Sequence, residues 1–272
     1  MNDIATLPHC ETLALKLEEG VLTCTLNRPD VRNAMNATMV EELEGVFAAL
    51  AEASVRTVVL RGAGGHFCSG GDIKGMSMTE TGEDGEPDPL QAGNRRFGRM
   101  ITAVNTCPQT VIAAVEGAVR GGGFGLVCVS DVAIATSSAT FALPETSLGI
   151  PPAQIAPFVV QRIGLTQARR LGLTGFKLDA RRAAELGVVH QVVDDTAALD
   201  AAIEETLAAV QKCAPGANAM TKRLMLDAQT EALDPLLDAA SEMFAMSARG
   251  PEGTEGLNAF VEKRKPDWAA GE

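Results

Sequence analysis

Tyrosine is absent from this 272-residue chain and tryptophan occurs once, so aromatic residues make up only 4% of it. That scarcity excludes a recognition surface of stacked rings, the device that grips single-stranded nucleic acid. Basic residues are also short, 23 Lys and Arg against 35 Asp and Glu, for a net charge of −12. An acidic surface repels nucleic acid and anionic lipid, and neither is expected as a partner. No apolar run reaches the ~20 residues that span a bilayer. The stretch "MNDIATLPHCETLALKLEEG" has no basic segment leading into a long apolar core, so no secretory signal is expected. The six cysteines are scattered without a C-x-x-C pair. Reduced thiols, a cytoplasmic location and no structural metal follow as expectations.

What is present is a chain that is 46% hydrophobic, enough for a sizeable core. Residues 12–26 alternate apolar and polar around Glu18, Glu19 and Gly20, the pattern of a hairpin. Met39, Leu43, Phe47 and Leu50 fall at helical spacing, as do Phe97, Met100, Ile101 and Val104. "TVVL" (57–60), "TVIAAVE" (110–116) and "VAIAT" (132–136) are short apolar strands. Strands alternating with helices predict a layered α/β core over residues 1–195. The acidic, Gly- and Pro-rich stretch 81–93 is expected to be a loop. From about residue 154 the pattern is helical, and residues 196–272 are expected to form a helical C-terminal part.

Two glycine loops stand where a strand runs into a helix: "FCSGGDIKGM" (67–76) and "VRGGGFGL" (119–126). A helix entered that way offers free backbone N–H groups and the positive end of its dipole. Neither loop carries G-x-x-x-x-G-K-[ST] or G-x-G-x-x-G, so Walker and Rossmann phosphate sites are excluded. Tight turns remain one explanation. Donors for a developing oxyanion, as acyl chemistry requires, are the other.

Four motifs in order, "HFCSGGDIKGM", "AAVEGAVRGGGFGL", "FALPETSLGIPP" and "AFVEKRKPDW", resemble the enoyl-CoA hydratase/isomerase (crotonase) family from about residue 26 to Pro266. The resemblance implies a ββα spiral core with a helical C-terminal trimerisation part, and homotrimers or dimers of trimers. It also implies acyl-CoA thioester substrates, with coenzyme A as part of the substrate and no separate cofactor. It places the two oxyanion donors at Gly71 and Gly122 and a catalytic carboxylate at Glu145. It further assigns CoA contacts to Arg28, Arg32, Cys68, Ser69, Gly70, Asp72, Ile73, Phe260 and Lys263, and a mobile segment over the acyl tunnel to residues 77–93. Without the resemblance, Glu145 reads as a solvated carboxylate, and the basic cluster from Lys263 as an exposed helix end.

The chain departs from the family at one point. Many family hydratases carry a second glutamate two residues after the glycine triplet, where this chain has Gly125. That departure resembles the methylglutaconyl-CoA and isohexenylglutaconyl-CoA hydratase branch, the latter from acyclic terpene degradation. A glycine there is expected to free volume for a 3-branched acyl chain and to remove a negative charge. Like charges 4 Å apart repel by about 4 kcal/mol at an effective dielectric near 20, so the change favours a substrate with its own carboxylate. Arg120, just before the triplet, is a candidate partner for that carboxylate, or else a structural or CoA contact. Glu116, His66, Cys68 and His190 read as structural. The activity implied is hydration of a 3-branched 2-enoyl-CoA. The alternatives are double-bond isomerisation, which needs one base, and a non-catalytic acyl-CoA-binding protein.

Overall fold

The computed structural model describes residues 7–50, 54–73 and 88–269. Strands β1 (Leu13–Glu18) and β2 (Val21–Leu26) form the expected hairpin, Leu13 opposite Leu26. Glu19 and Gly20 both take positive φ at its tip, the turn that matches strand twist. Alternate β2 residues Leu22, Cys24 and Leu26 are fully buried, which fixes the register. Helix α1 (Ala37–Ala49) starts at Asn36, whose side chain accepts the Met39 N–H at 3.0 Å.

The chain then runs through β3 (Thr57–Gly62), α2 (Pro89–Thr106), β4 (Thr110–Val115), β5 (Ala118–Arg120), α3 (Gly122–Val129), β6 (Val132–Thr136) and β7 (Thr140–Ala142). It continues as α4 (Ala156–Thr174), β8 (Leu178–Asp179), α5 (Ala180–Glu185), β9 (Gln191–Val193) and four helices: α6 (Thr196–Gln211), α7 (Pro215–Asp227), α8 (Leu233–Arg249) and α9 (Pro251–Glu262). A six-stranded sheet has the order β1-β2-β3-β4-β6-β9, with parallel pairing at β2–β3, β4–β6 and β6–β9. A second sheet, β5-β7-β8, stands apart from it. The parallel strands β3, β4 and β6 are nearly continuous in buried apolar residues, as strands covered on both faces must be.

Two expectations need correction. The stretch expected to be a loop up to residue 93 is already helical from Pro89, because Asp88 accepts the N–H groups of Leu90 and Gln91 and Pro89 suits a first helical turn. Residues 74–87 of that segment lie outside the described residues. The region after 154 is not wholly helical: β8 and β9 extend the two sheets, but two or three residues are too few to carry a period. Helix α9 stops at Glu262, where Lys263 turns left-handed.

Two compact units result, one of residues up to Asn105 with Val111–Ile203, the other of Thr106–Thr110 with Glu204–Glu272. The division falls within α6. In the second unit Glu252 accepts the N–H groups of Gly216 and Ala217 at the head of α7. Arg264 grips Glu255 through two hydrogen bonds of 2.5 and 2.8 Å, which hold that carboxyl down at about 2.

Candidate active site

The first glycine loop is stitched to the turn that follows β2. Met35 donates to Gly70 O and Asp72 donates to Met35 O, both at 2.8 Å, and Ser69 donates to Arg32 O. The Arg28 guanidinium pairs with Asp72 at 2.9 Å and also donates to Ala34 O. Asn33, fully buried at positive φ, holds the turn from inside. Its amide donates to Ala63 O and His66 O, and its oxygen accepts the Arg28 N–H. The bridge to Met35 uses Gly70 O and Asp72 N, leaving the Gly71 N–H on the opposite side. Among the described residues it has no acceptor.

The second loop docks against the first. Cys68 donates to Ala118 O and accepts from the Arg120 N–H, so the two loops run as a short parallel pair. Each glycine of the triplet has its own reason. Gly121 has a φ of +49°, which a side chain resists. A Cβ on Gly122 would stand 3.0 Å from the Phe97 ring and 3.2 Å from Met35 Sδ. A Cβ on Gly123 would stand 2.6 Å from Cys68 Cβ. Gly123 aims its N–H at the Cys68 sulfur, whereas Gly122, the first residue of α3, has no acceptor among the described residues. Two loops in contact thus each present one unpaired N–H, at Gly71 and at Gly122.

Glu145 opens a short 3-10 turn, Glu145–Leu148, closed by Gly149 in the left-handed conformation. The Thr146 hydroxyl pins that turn to Gly172 O of α4 at 2.8 Å. Glu145 Oε1 lies 2.8 Å from where a Cβ on Gly121 would stand, so the carboxylate sits over the head of α3. Its Oε2 is buried and has no hydrogen-bond partner among the described residues. Burial pushes this carboxyl above the usual carboxylate range, and its own backbone N–H pulls part of the way back. A buried carboxylate oxygen with nothing to bond is costly, and such groups concentrate where a proton is to be moved.

The structure thus gathers Arg28, Arg32, Cys68, Ser69, Gly70, Gly71, Asp72 and Ile73 with Gly122 and Glu145. Phe260 and Lys263 lie at the end of α9, in the second unit, with Phe260 exposed. Arg120, the candidate partner for a substrate carboxylate, is engaged within the fold. Its guanidinium donates to Val119 O, Thr140 O and Thr140 Oγ1, tying β5 to β7. Glu116 is structural, accepting from Thr196 at 2.7 Å and facing Arg61 at 4.0 Å. His66 and His190 each accept a backbone N–H, from Ala118 and Ala133. Burial pushes the Cys68 thiol up to about 12, so it is no thiolate nucleophile.

The largest correction concerns Gly125. No volume is freed there: a Cβ would stand 2.5 Å from Ile155 Cγ2 and 2.8 Å from Ile101 Cδ1. Those two isoleucines, with Phe97 and Met35, are the site residues that sequence reasoning missed. The helical spacing of Phe97 and Ile101 marked one face of α2, but not that α3 would lie under it.

The family model for enoyl-CoA hydratase/isomerase matches residues 16–271. Among solved structures, an enoyl-CoA hydratase/isomerase from Marinobacter aquaeolei is 54% identical, covering 96% of this chain and 100% of that one with a TM-score of 0.91. Pseudomonas aeruginosa AtuE is 55% identical, covering 95% and 100%, also with a TM-score of 0.91. The 1,2-epoxyphenylacetyl-CoA isomerase of Escherichia coli K12 is 32% identical over 262 residues, 95% of this chain and 98% of its own length. These likenesses confirm the crotonase fold that the glycine loops and Glu145 pointed to. The chain belongs to the enoyl-CoA hydratase/isomerase family, whose enzymes act on acyl-CoA thioesters.

Proposed function

We propose that this protein is a hydratase that adds water across a 3-branched 2-enoyl-CoA, with Glu145 as its single acid–base group. One observation carries the reading: a buried, unpartnered carboxylate oxygen at the head of α3, next to an unpaired backbone donor. The thioester carbonyl oxygen accepts from the Gly71 and Gly122 N–H groups, and the positive end of α3 favours the charge that grows on it. Glu145 takes a proton from water as the new C–O bond forms at C3, and returns that proton to C2 as the enolate collapses. The CoA lies along the stitched turn and loop, on backbone groups from Cys68 to Ile73. Arg32 sits exposed at its mouth, and Arg28 and Asp72 brace one another. Phe260 and Lys263 cap the adenine and 3′-phosphate within a homotrimer or dimer of trimers.

Two features support a branched substrate. Among the described residues the atoms nearest to Gly125 belong to the aliphatic side chains of Ile155 and Ile101 rather than to a carboxylate that would repel an acid-bearing acyl chain such as a glutaconyl group. Arg120, the candidate partner for that acid, is anchored by its hydrogen bond to the Thr140 hydroxyl. The test follows enoyl-thioester absorbance on crotonyl-CoA, 3-methylglutaconyl-CoA and isohexenylglutaconyl-CoA, with mass analysis of the products. Water uptake on the branched substrates, lost in Glu145→Gln, supports the reading. A double-bond shift without water would make the protein an isomerase, a reading favoured by the lone carboxylate and by the isomerase among its relatives. CoA binding without turnover would leave an acyl-CoA-binding protein.

A further inference from the structure

We propose that Arg95 receives the distal carboxylate of an acid-bearing acyl chain, at the seam where α2 meets the residues leading into α4. The proposal rests on the reading that the thioester carbonyl sits on Gly71 and Gly122. Gly98 lies inside α2, where a glycine weakens the helix. The structure shows what takes the place of its side chain: a Cβ there would run into Gln154 Oε1 and stand 2.9 Å from Arg95 Nη1. Arg95 and Gly98 are three residues apart and share a helix face, so the guanidinium folds back along α2 until it meets the Gln154 carboxamide. That carboxamide is fixed from its other end, Nε2 donating to Asn94 Oδ1 at 2.9 Å. The chain neighbours of Gly98 and Gln154 both reach α3, Phe97 standing over Gly122 and Ile155 over Gly125. The arginine therefore stands at the rim of the site.

Unlike Arg120, which is tied to Thr140, Arg95 carries no hydrogen bond or ion pair among the described residues. Its neighbours on α2 do: Arg96 pairs with Glu41 and Glu44, and Arg99 faces Glu44 at 3.6 Å. In a chain of net charge −12 the groups against this guanidinium are nevertheless neutral, Gly98 and the Gln154 amide. Arg95 is exposed and Gln154 half-buried, so a carboxylate reaches the guanidinium without displacing any core side chain. The planar guanidinium presents its N–H donors in a fork that matches the two oxygens of a carboxylate. An acyl chain whose carbonyl oxygen rests on Gly122 lies beside Phe97. A carboxylate a few carbons further along it is within the sweep of Arg95, two residues up the same helix.

The test measures calorimetric binding of 3-methylglutaryl-CoA and isovaleryl-CoA, saturated analogues that differ only in the terminal carboxylate. The readout is the ratio of the two affinities in the wild type, Arg95→Ala, Arg95→Lys and Arg96→Ala. The expected result is a wild-type preference for the acid that falls about 10–100-fold in Arg95→Ala. Arg95→Lys keeps the charge without the fork and should fall between the two. Arg96→Ala, which removes a charge already paired, should keep the wild-type ratio. An equal loss of both ligands in Arg95→Ala would make the arginine a CoA contact. An equal fall of the ratio in Arg96→Ala would make the preference a matter of the protein's general field. Either result, or a ratio that Arg95→Ala leaves unchanged, overturns the proposal. Turnover is read separately: a wild type that binds the acid through Arg95 yet hydrates neither 3-methylglutaconyl-CoA nor 3-methylcrotonyl-CoA overturns the hydratase reading and supports the arginine's role.

Discussion

Glu145 is destabilised by its own position. A carboxyl raised by burial binds protons more readily folded than unfolded, so its ionisation costs stability above the folded pKa, and that cost fades as pH falls through it. Glu145→Gln is therefore expected to unfold at a higher temperature than wild type at neutral pH, the advantage shrinking in acid. The same variant should lose about 10²–10⁴ in kcat, the usual contribution of a positioned acid–base group. In the wild type, the acid limb of the kcat/KM profile should lie above the ordinary carboxylate range, since the base form must survive desolvation. Gly125 gives the second prediction at this scale. Gly125→Ala drives a methyl into Ile155 and Ile101 and should cost about 1–3 kcal/mol in denaturant unfolding. Adding Ile101→Val should recover part of that loss, because it removes the Cδ1 that would stand 2.8 Å from the new methyl.

At the scale of elements, what the sequence discloses follows distance along the chain. The glycine loops are local motifs, legible as strand-to-helix turns without a fold, whereas a role for Glu145 came only from the family resemblance. The hairpin at 12–26 and the strand at 132–136 are readable because five or six residues carry a period. Strands β5, β7, β8 and β9 are two or three residues long and gain their partners only through tertiary pairing. Ile155 meets Gly125, and Phe97 meets Gly122, across tens of residues, which no local pattern encodes. The same holds for Asn33, which ties the turn after β2 to Ala63 and His66, just ahead of the first glycine loop. Asn33→Ala strands Ala63 O, His66 O and the Arg28 N–H and puts alanine at positive φ. It should cost about 2–4 kcal/mol in equilibrium unfolding. Because it loosens the loop bearing Gly71, it should also raise KM for acyl-CoA thioesters.

On the scale of the whole molecule, the second unit carries an unusual amount of exposed apolar surface. Phe244 is 76% exposed, Phe260 83% and Val261 78%, alongside Leu233, Leu237 and Leu257. Surfaces of that kind mark contact sites, and they support the homotrimer or dimer of trimers proposed above. Light scattering should then give an assembled mass, and Phe244→Asp should lower it; a monomeric wild type would remove this part of the proposal. No helix among the described residues is long and apolar enough to cross a membrane.

The most direct test of a single-carboxylate hydratase is turnover of 3-methylglutaconyl-CoA in isotopically labelled water, wild type beside Glu145→Gln. The expected result is a 3-hydroxyacyl product carrying solvent oxygen from the wild type and about 10²–10⁴-fold less of it from the variant. Labelled product formed equally well by Glu145→Gln would contradict the central role of Glu145, and an isomerised product without label would contradict hydration.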